Sequence, residues 1–210
     1  SSKNQINAKQ TWLQSAFMGQ AKTEPKEWLD PLQVTSWGYR RKARLGVRYV
    51  HKKEKVLVGF RERKSSFITV MERCEVLHPS LGDNLEVLAE CIEGLSCKSQ
   101  IPQIEVAIAE NDTILILRHL EPLTIEDEAV LRDYAERLSI TWYTQSGGMD
   151  TVKPLDSAVS LSYSLPEYNI EMNFLPTDFT QVNFELNQKM MSLSLSLLEL
   201  NDEDRVIDLF

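Results

Sequence analysis

Trp37–Val50 reads WGYRRKARLGVRYV, and its period is two. Ala43, Leu45, Val47 and Tyr49 alternate with Lys42, Arg44 and Arg48, and Arg40 falls in phase with the cations. Alternation at every second residue marks a strand with one face on a core and the other in solvent. The stretch therefore predicts a strand with an apolar face and a cationic face. A polar turn, HKKEK, follows, then a second strand at Val56–Phe60 and a third at Ser66–Met71, SFITVM. These three predict an antiparallel meander.

Downstream the period lengthens. Leu81, Leu85, Leu88, Ile92 and Leu95 recur at three and four residues after Pro79, which predicts one helix. QIEVAIA (103–109) and TILILRH (113–119), separated by a polar turn, predict a hairpin. Thr124 stands as an N-cap with Asp127 at capping-box distance, opening a helix to about Ser139. ITWYT (140–144) is a further strand, and a looser glycine-bearing stretch leads to VSLSYSL and YNIEMNF. Residues 1 to about 20 and the segment after Phe179 predict helices, and RVIDLF (205–210) a last apolar strand. The expected class is α/β: an α+β central domain with an antiparallel sheet and flanking helices.

The chain has 210 residues, 42% hydrophobic and 26% charged, as in ordinary globular proteins. No apolar run approaches the roughly 20 residues of a membrane helix, and the N-terminus has no signal-peptide pattern, so cytoplasm is the expected location. Three cysteines, Cys74, Cys91 and Cys97, argue against a secreted disulfide framework. Net charge is −8, yet Arg40 to Lys64 carries eleven Lys or Arg against Glu54 and Glu62. That local +9 leaves −17 on the other 185 residues. Phosphate binding responds to the local field, so the block outweighs the average.

A solvated, soluble face is the ordinary meaning of such charges. Here like charges at i and i+2 repel unless an anion lies between them, and Trp37 and Tyr39 stand beside them for stacking on bases. RNA contact through Arg40, Lys42, Arg44 and Arg48 is the expectation. The three histidines match no ligand spacing, and no carboxylate pair suggests acid–base hydrolysis. DFTQVNFELNQKM (178–190) sets an aromatic ring and several amides, among them Phe179 and Gln181, before a helix. On its own it is a polar helix start with Asp178 or Thr180 as cap.

Four segments in order, WGYRRKARLGVRYV, VGFRERKSSFITVMERC, DFTQVNFELNQKM and EDRVIDLF, together resemble the RNA uracil-5-methyltransferases. The likeness is to the type acting on 23S rRNA, with the tRNA (TrmA) type more distant, and it runs over essentially the whole chain. It implies a family architecture of an OB-like TRAM domain, a central domain with a [4Fe-4S] cluster and a Rossmann-like methyltransferase domain. Residues 1–35 then correspond to a helical segment on the methyltransferase domain, 36–176 to the central domain and 177–210 to the start of the methyltransferase domain. The chain is expected to be a fragment lacking the TRAM domain.

The resemblance also implies roles. S-adenosyl-L-methionine is the methyl donor, with Gln181 matching a cofactor-contacting glutamine and Asp208–Phe210 the start of the first cofactor motif. Arg44 matches an arginine near the RNA, and Phe179 lies in a segment beside the flipped uridine. Cys74 matches the fourth cluster ligand, with the other three lying upstream of this chain's first residue in relatives. The catalytic cysteine and the base lie beyond residue 210 in relatives, so no catalytic residue is assigned here. A chain with these parts is expected to bind 23S rRNA without turnover. The rivals are a tRNA uracil-5-methyltransferase, a non-catalytic RNA-binding module and a protein-interaction domain.

Overall fold

The alternation around Arg44 builds β1, Lys42–Val50, in which Ala43, Leu45 and Val47 are buried while Arg44 and Arg48 are exposed. A computed structural model describes residues 2–207 and Leu209. They divide into two units, 37–184 and a second formed by 1–36 with 185–210.

In the larger unit β1 turns through His51–Lys53, with Glu54 in the left-handed region, into β2, Lys55–Gly59. Its other neighbour is β3, Gln103–Ile108, which forms the expected hairpin with β4, Thr113–Arg118. From β4 the chain crosses through a helix to β5, Thr141–Gln145, which pairs parallel to β4. The two-residue β6, Lys153–Pro154, completes the order β2-β1-β3-β4-β5-β6. A separate hairpin joins β7, Leu161–Leu165, to β8, Ile170–Phe174. The architecture is mixed α/β with a mostly antiparallel sheet, as the sequence predicts.

The helices are α1, Ser2–Ala16; α2, Pro79–Gly82; α3, Leu85–Glu93; α4, Ile125–Leu138; and α5, Phe184–Leu198. One sheet face, carrying Leu45, Val47, Ile104, Val106, Leu115, Leu117 and Trp142, forms the main core with Leu88, Ile92 and Leu131 from the helices. A smaller core on the opposite face gathers Ala107, Ile114, Ile116 and Tyr143 with Leu161 of β7. On the outward side of β1, Arg44 and Arg48 stay exposed. α4 opens with the expected capping box: Asp127 N–H donates to the Thr124 hydroxyl, and Thr124 N–H to the Asp127 carboxylate.

Three expectations change. SFITVM is no strand: a single bridge joins Ile68 to Arg61, flanked by Glu62 N–H to Phe67 O and Thr69 N–H to Phe60 O. Further pairing along β2 is lost because the chain is drawn to the helices, where Glu72 O accepts from Glu86 N–H and Cys74 N–H donates to Gly82 O. Ile68 instead covers Gly46, where a Cβ would lie 3.1 Å from its Cδ1. The meander thus becomes β1 between β2 and β3.

The helix expected after Pro79 is two, interrupted at Asn84 (φ −121°, ψ 19°), whose side-chain amide donates to Ser80 O. α3 ends at Glu93, so Cys97 sits beyond it. The last strand does not form over Arg205–Ile207 or at Leu209, and Asp208 and Phe210 lie outside the described residues. A strand exists through its ladder, and this stretch has no partner strand among the described residues.

In the smaller unit a π-helical turn, Phe17–Ala21, follows α1, and the Phe17 ring meets Trp28 edge-on. Lys189 Nζ donates to Gln33 O and Thr35 N–H to the Glu185 carboxylate, tying the 33–35 segment to α5. No described helix is long and apolar enough to cross a membrane.

Candidate nucleic-acid interface

Strand parity places Lys42, Arg44 and Arg48 on one side of β1, and the neighbouring strands decide what each can do. Arg44 lies opposite Glu105 of β3 and bonds it at 2.8 Å, its own side chain 67% exposed and the carboxylate only 14%. The Gln103 amide also donates to Glu105, at 3.0 Å. The guanidinium is therefore oriented by a fixed carboxylate while most of its donors face water, a geometry suited to a phosphate or a base edge. Arg48 lies opposite Leu57, exposed and with no ion-pair partner among the described residues.

Arg40 is placed differently. Its backbone joins the Val76–His78 segment through Arg40 N–H to Val76 O and His78 N–H to Arg40 O. Its side chain is half-buried, and Nε is buried with no hydrogen-bond partner among the described residues. Lys42 is half-buried and turned inward. Its Nζ donates to Pro176 O at 2.5 Å and Asp178 O at 2.9 Å. Burial lowers its pKa, opposed by the carboxylates of Glu105 and Asp178.

Those carbonyls belong to the loop that presents Phe179, whose ring is 85% exposed. The loop is fastened at several points. Leu175 N–H donates to the Asp178 carboxylate, Asp178 N–H to Leu175 O, and Arg41 N–H to Val182 O. Thr180 is buried and Gln181 exposed, so the two point differently. Arg41, between Arg40 and Lys42, donates to Ala109 O and lies 5.0 Å over the Phe184 ring. The structure thus brings Arg44 and Arg48 onto one exposed face and ties Lys42 to the Phe179 loop. Glu105 is a residue the sequence reading missed. The available signal was one acid at an outward position of an otherwise apolar strand, QIEVAI.

Cys74 is half-buried against the main core, its N–H held by Gly82 O at 2.7 Å. Cys91 and Cys97 are buried free thiols. Burial raises both, Cys91 to about 12. An iron–sulfur cube needs four thiolates, and no group of three or more His, Cys, Asp or Glu among the described residues could hold a metal ion. The described residues alone do not fit a cluster. At neutral pH the native chain is expected to react with Ellman's reagent at Cys74 first, Cys91 and Cys97 following only on unfolding. Prompt release from all three thiols in the folded chain would contradict this.

No family model matches the chain. Its relatives include proteins named 23S rRNA (uracil(1939)-C(5))-methyltransferase RlmD. That of Vesicomyosocius okutanii is 66% identical over 210 residues, all of this chain and 48% of that protein. The Bordetella avium protein is 49% identical over 209 residues, covering 99% of this chain and 44% of its own length. The chain spans about half the length of the curated relatives it matches. A solved structure, the tRNA (uracil-54, C5)-methyltransferase of Pyrococcus abyssi in complex with S-adenosyl-L-homocysteine, superposes with a TM-score of 0.55. It is 15% identical and covers 81% of this chain and 43% of that one, a likeness of fold. With the four motifs in order and 44–66% identity along its length, the chain is similar throughout to about half the length of proteins named as 23S rRNA uracil-5-methyltransferases.

Proposed function

We propose that the chain is the RNA-recognising part of a cytoplasmic 23S rRNA uracil-5-methyltransferase, an enzyme that methylates C5 of a uridine. The observation that carries this reading is 66% identity, over every residue, to a protein of that name. The exposed pair Arg44 and Arg48 supplies the physical means. A base modified at C5 must leave its stack, at a cost of a few kcal/mol. Guanidinium contacts to phosphate and stacking on the Phe179 ring offset that cost.

S-adenosylmethionine, when bound, supplies an electrophilic methyl group. Toward it this chain offers the Gln181 amide, exposed in the Phe179 loop, and, by family likeness, Asp208 and Phe210. By family likeness, Cys74 is the chain's contribution of one thiolate to a [4Fe-4S] cluster. Arg40 contributes to the positive field at the leading end of the strand. A tRNA substrate is the second reading, supported by the fold shared with the Pyrococcus enzyme.

The test is a titration of a uridine-bearing hairpin from 23S rRNA at several salt concentrations, with a tRNA competitor. Neutralising both residues (Arg44→Gln with Arg48→Gln) is expected to lower the log–log salt slope by about 0.7 for each phosphate no longer neutralised, with a matching fall in affinity. Unchanged slope and affinity would exclude the strand face and leave a protein-interaction domain. Tighter binding of tRNA than of the rRNA hairpin would favour the second reading.

A further inference from the structure

Of the cations aligned on the outward side of β1, Lys42 is the one whose charge is consumed inside the protein. Two of its three N–H donors go to main-chain carbonyls of one turn, Pro176 and Asp178, 134 and 136 residues away in sequence. The next residue is Phe179, the most exposed aromatic ring among the described residues. We propose that Lys42 is a positioning residue: it fixes the turn that presents Phe179 to an unstacked base and makes no phosphate contact of its own. The proposal rests on the RNA reading above and assigns Lys42 a different part in it.

Three observations support this division. The first is geometric: an ammonium bonded to two carbonyls at 2.5 and 2.9 Å and half-buried has little left to offer a phosphate. The second is electrostatic. The groups facing Lys42 are the Glu105 carboxylate from β3 and Asp178 from the loop itself, so its charge is balanced within the protein. Arg44, two residues along and about 7 Å away, shares Glu105 but stays mostly in water. The third concerns the turn, whose own fastenings are short-range. Leu175 and Asp178 bond each other, and nothing in that exchange sets where the turn sits on the sheet. Lys42 together with the Arg41 N–H to Val182 O bond does, one on each side of Phe179.

An exposed phenyl ring loses freedom when it stacks on a base, and a ring on a wandering turn loses more. Fixing the turn beforehand reduces that loss, so Lys42 acts on RNA through Phe179. The two residues should then behave as one unit: once either is removed, removing the other adds little.

The experiment uses the whole 210-residue chain and four proteins, wild type, Lys42→Met, Phe179→Ala and the double variant. Methionine keeps the unbranched stem along β1 and removes the donors. Two measurements are made. In amide hydrogen exchange without RNA, peptides covering 175–182 are expected to exchange faster in Lys42→Met while those of β3 and β4 stay unchanged. In hairpin titrations across salt, Lys42→Met and Phe179→Ala are each expected to weaken binding about five- to tenfold, the lower part of a stacking contribution, and the double variant no more than either.

The salt slope should stay at the wild-type value in Lys42→Met. A slope lower by about 0.7 identifies Lys42 as a direct phosphate contact and overturns the proposal, as does additivity of the two losses. Unchanged exchange over 175–182 overturns it independently of RNA. If the wild-type chain fails to bind the hairpin while exchange rises as expected, the RNA reading fails. The positioning of the loop then stands, but its stated role does not.

Discussion

Replacing Asp127 by alanine is expected to lower the unfolding free energy by about 2–4 kcal/mol, measured by urea denaturation of the otherwise unchanged chain. The side chain is 2% exposed and is used by two elements at once. Within α4 it completes the capping box, accepting from Thr124 N–H while its own N–H donates to the Thr124 hydroxyl. Across the fold it accepts from Ser96 N–H at 2.6 Å and Ser96 Oγ–H at 2.8 Å. That second pair ties the start of α4 to the connection after α3, and both helices lie over the main core. Alanine leaves three donors without their acceptor, and because Ser96 and Thr124 are themselves exposed, water takes up only part of that loss. Asp127→Asn keeps the shape but can accept at one oxygen only, so an intermediate loss is expected.

The same carboxylate sets a pH dependence. Burial pushes its pKa up, but the hydrogen bonds from Thr124 and Ser96 outweigh that and hold it below the ordinary aspartate range. A depressed folded-state pKa means stability is complete above the unfolded-state value, about 3.9. It is lost as pH falls from there through the folded-state value, because the unfolded chain takes up the proton first. Wild type and Asp127→Ala should therefore converge in stability as pH drops below about 4. A gap that stays constant to about pH 3, well into that window, would show that the charge contributes nothing and that the whole difference is packing.

How far the sequence reached depended on whether a feature was local. The alternation around Arg44 and the capping box at Thr124 are rules of neighbouring residues, and both appear in the structure as written. SFITVM met every local criterion of a strand and did not become one. Its continuation is held by Glu86 and Gly82, residues whose approach no local pattern announces. The same limit applies to the interface. Counting cations gave a basic strand, yet Lys42 and Arg44 look identical in an alternating pattern. What separates them is Glu105, opposite in register from another strand, and two carbonyls more than a hundred residues downstream. The relation to the RNA uracil-5-methyltransferases was legible because it rests on four separate motifs in order. The part each cation plays was not, because it is a property of the partners.

Substituting Gly82 by alanine is expected to cost about 1–3 kcal/mol, the range for forcing atoms into a filled site, and to expose Cys74. Gly82 is buried at the end of α2, where a Cβ would stand 2.5 Å from Cys74 O and 2.9 Å from Leu77 O. Both are main-chain atoms, so no rotamer change can relieve the clash, and the chain at Cys74 or the helix must move. The link already there is Cys74 N–H to Gly82 O at 2.7 Å. The displacement therefore acts on the bond that seats Cys74 against the core. Two measurements check this: the urea midpoint falls, and the rate at which Ellman's reagent reaches Cys74 rises. Gly19→Ala is the control, since a Cβ there meets nothing within 4 Å. It should leave the thiol rate unchanged and add slightly to helix stability by propensity. Equal stability and equal thiol rates in Gly82→Ala and wild type would show that the contact yields without effort. In that case the seat of Cys74 would be a consequence of the fold around it and not of the close approach at Gly82. If the rate rises while the urea midpoint holds, the adjustment is confined to Cys74 itself, which makes Gly82 the residue that places the Cys74 thiol.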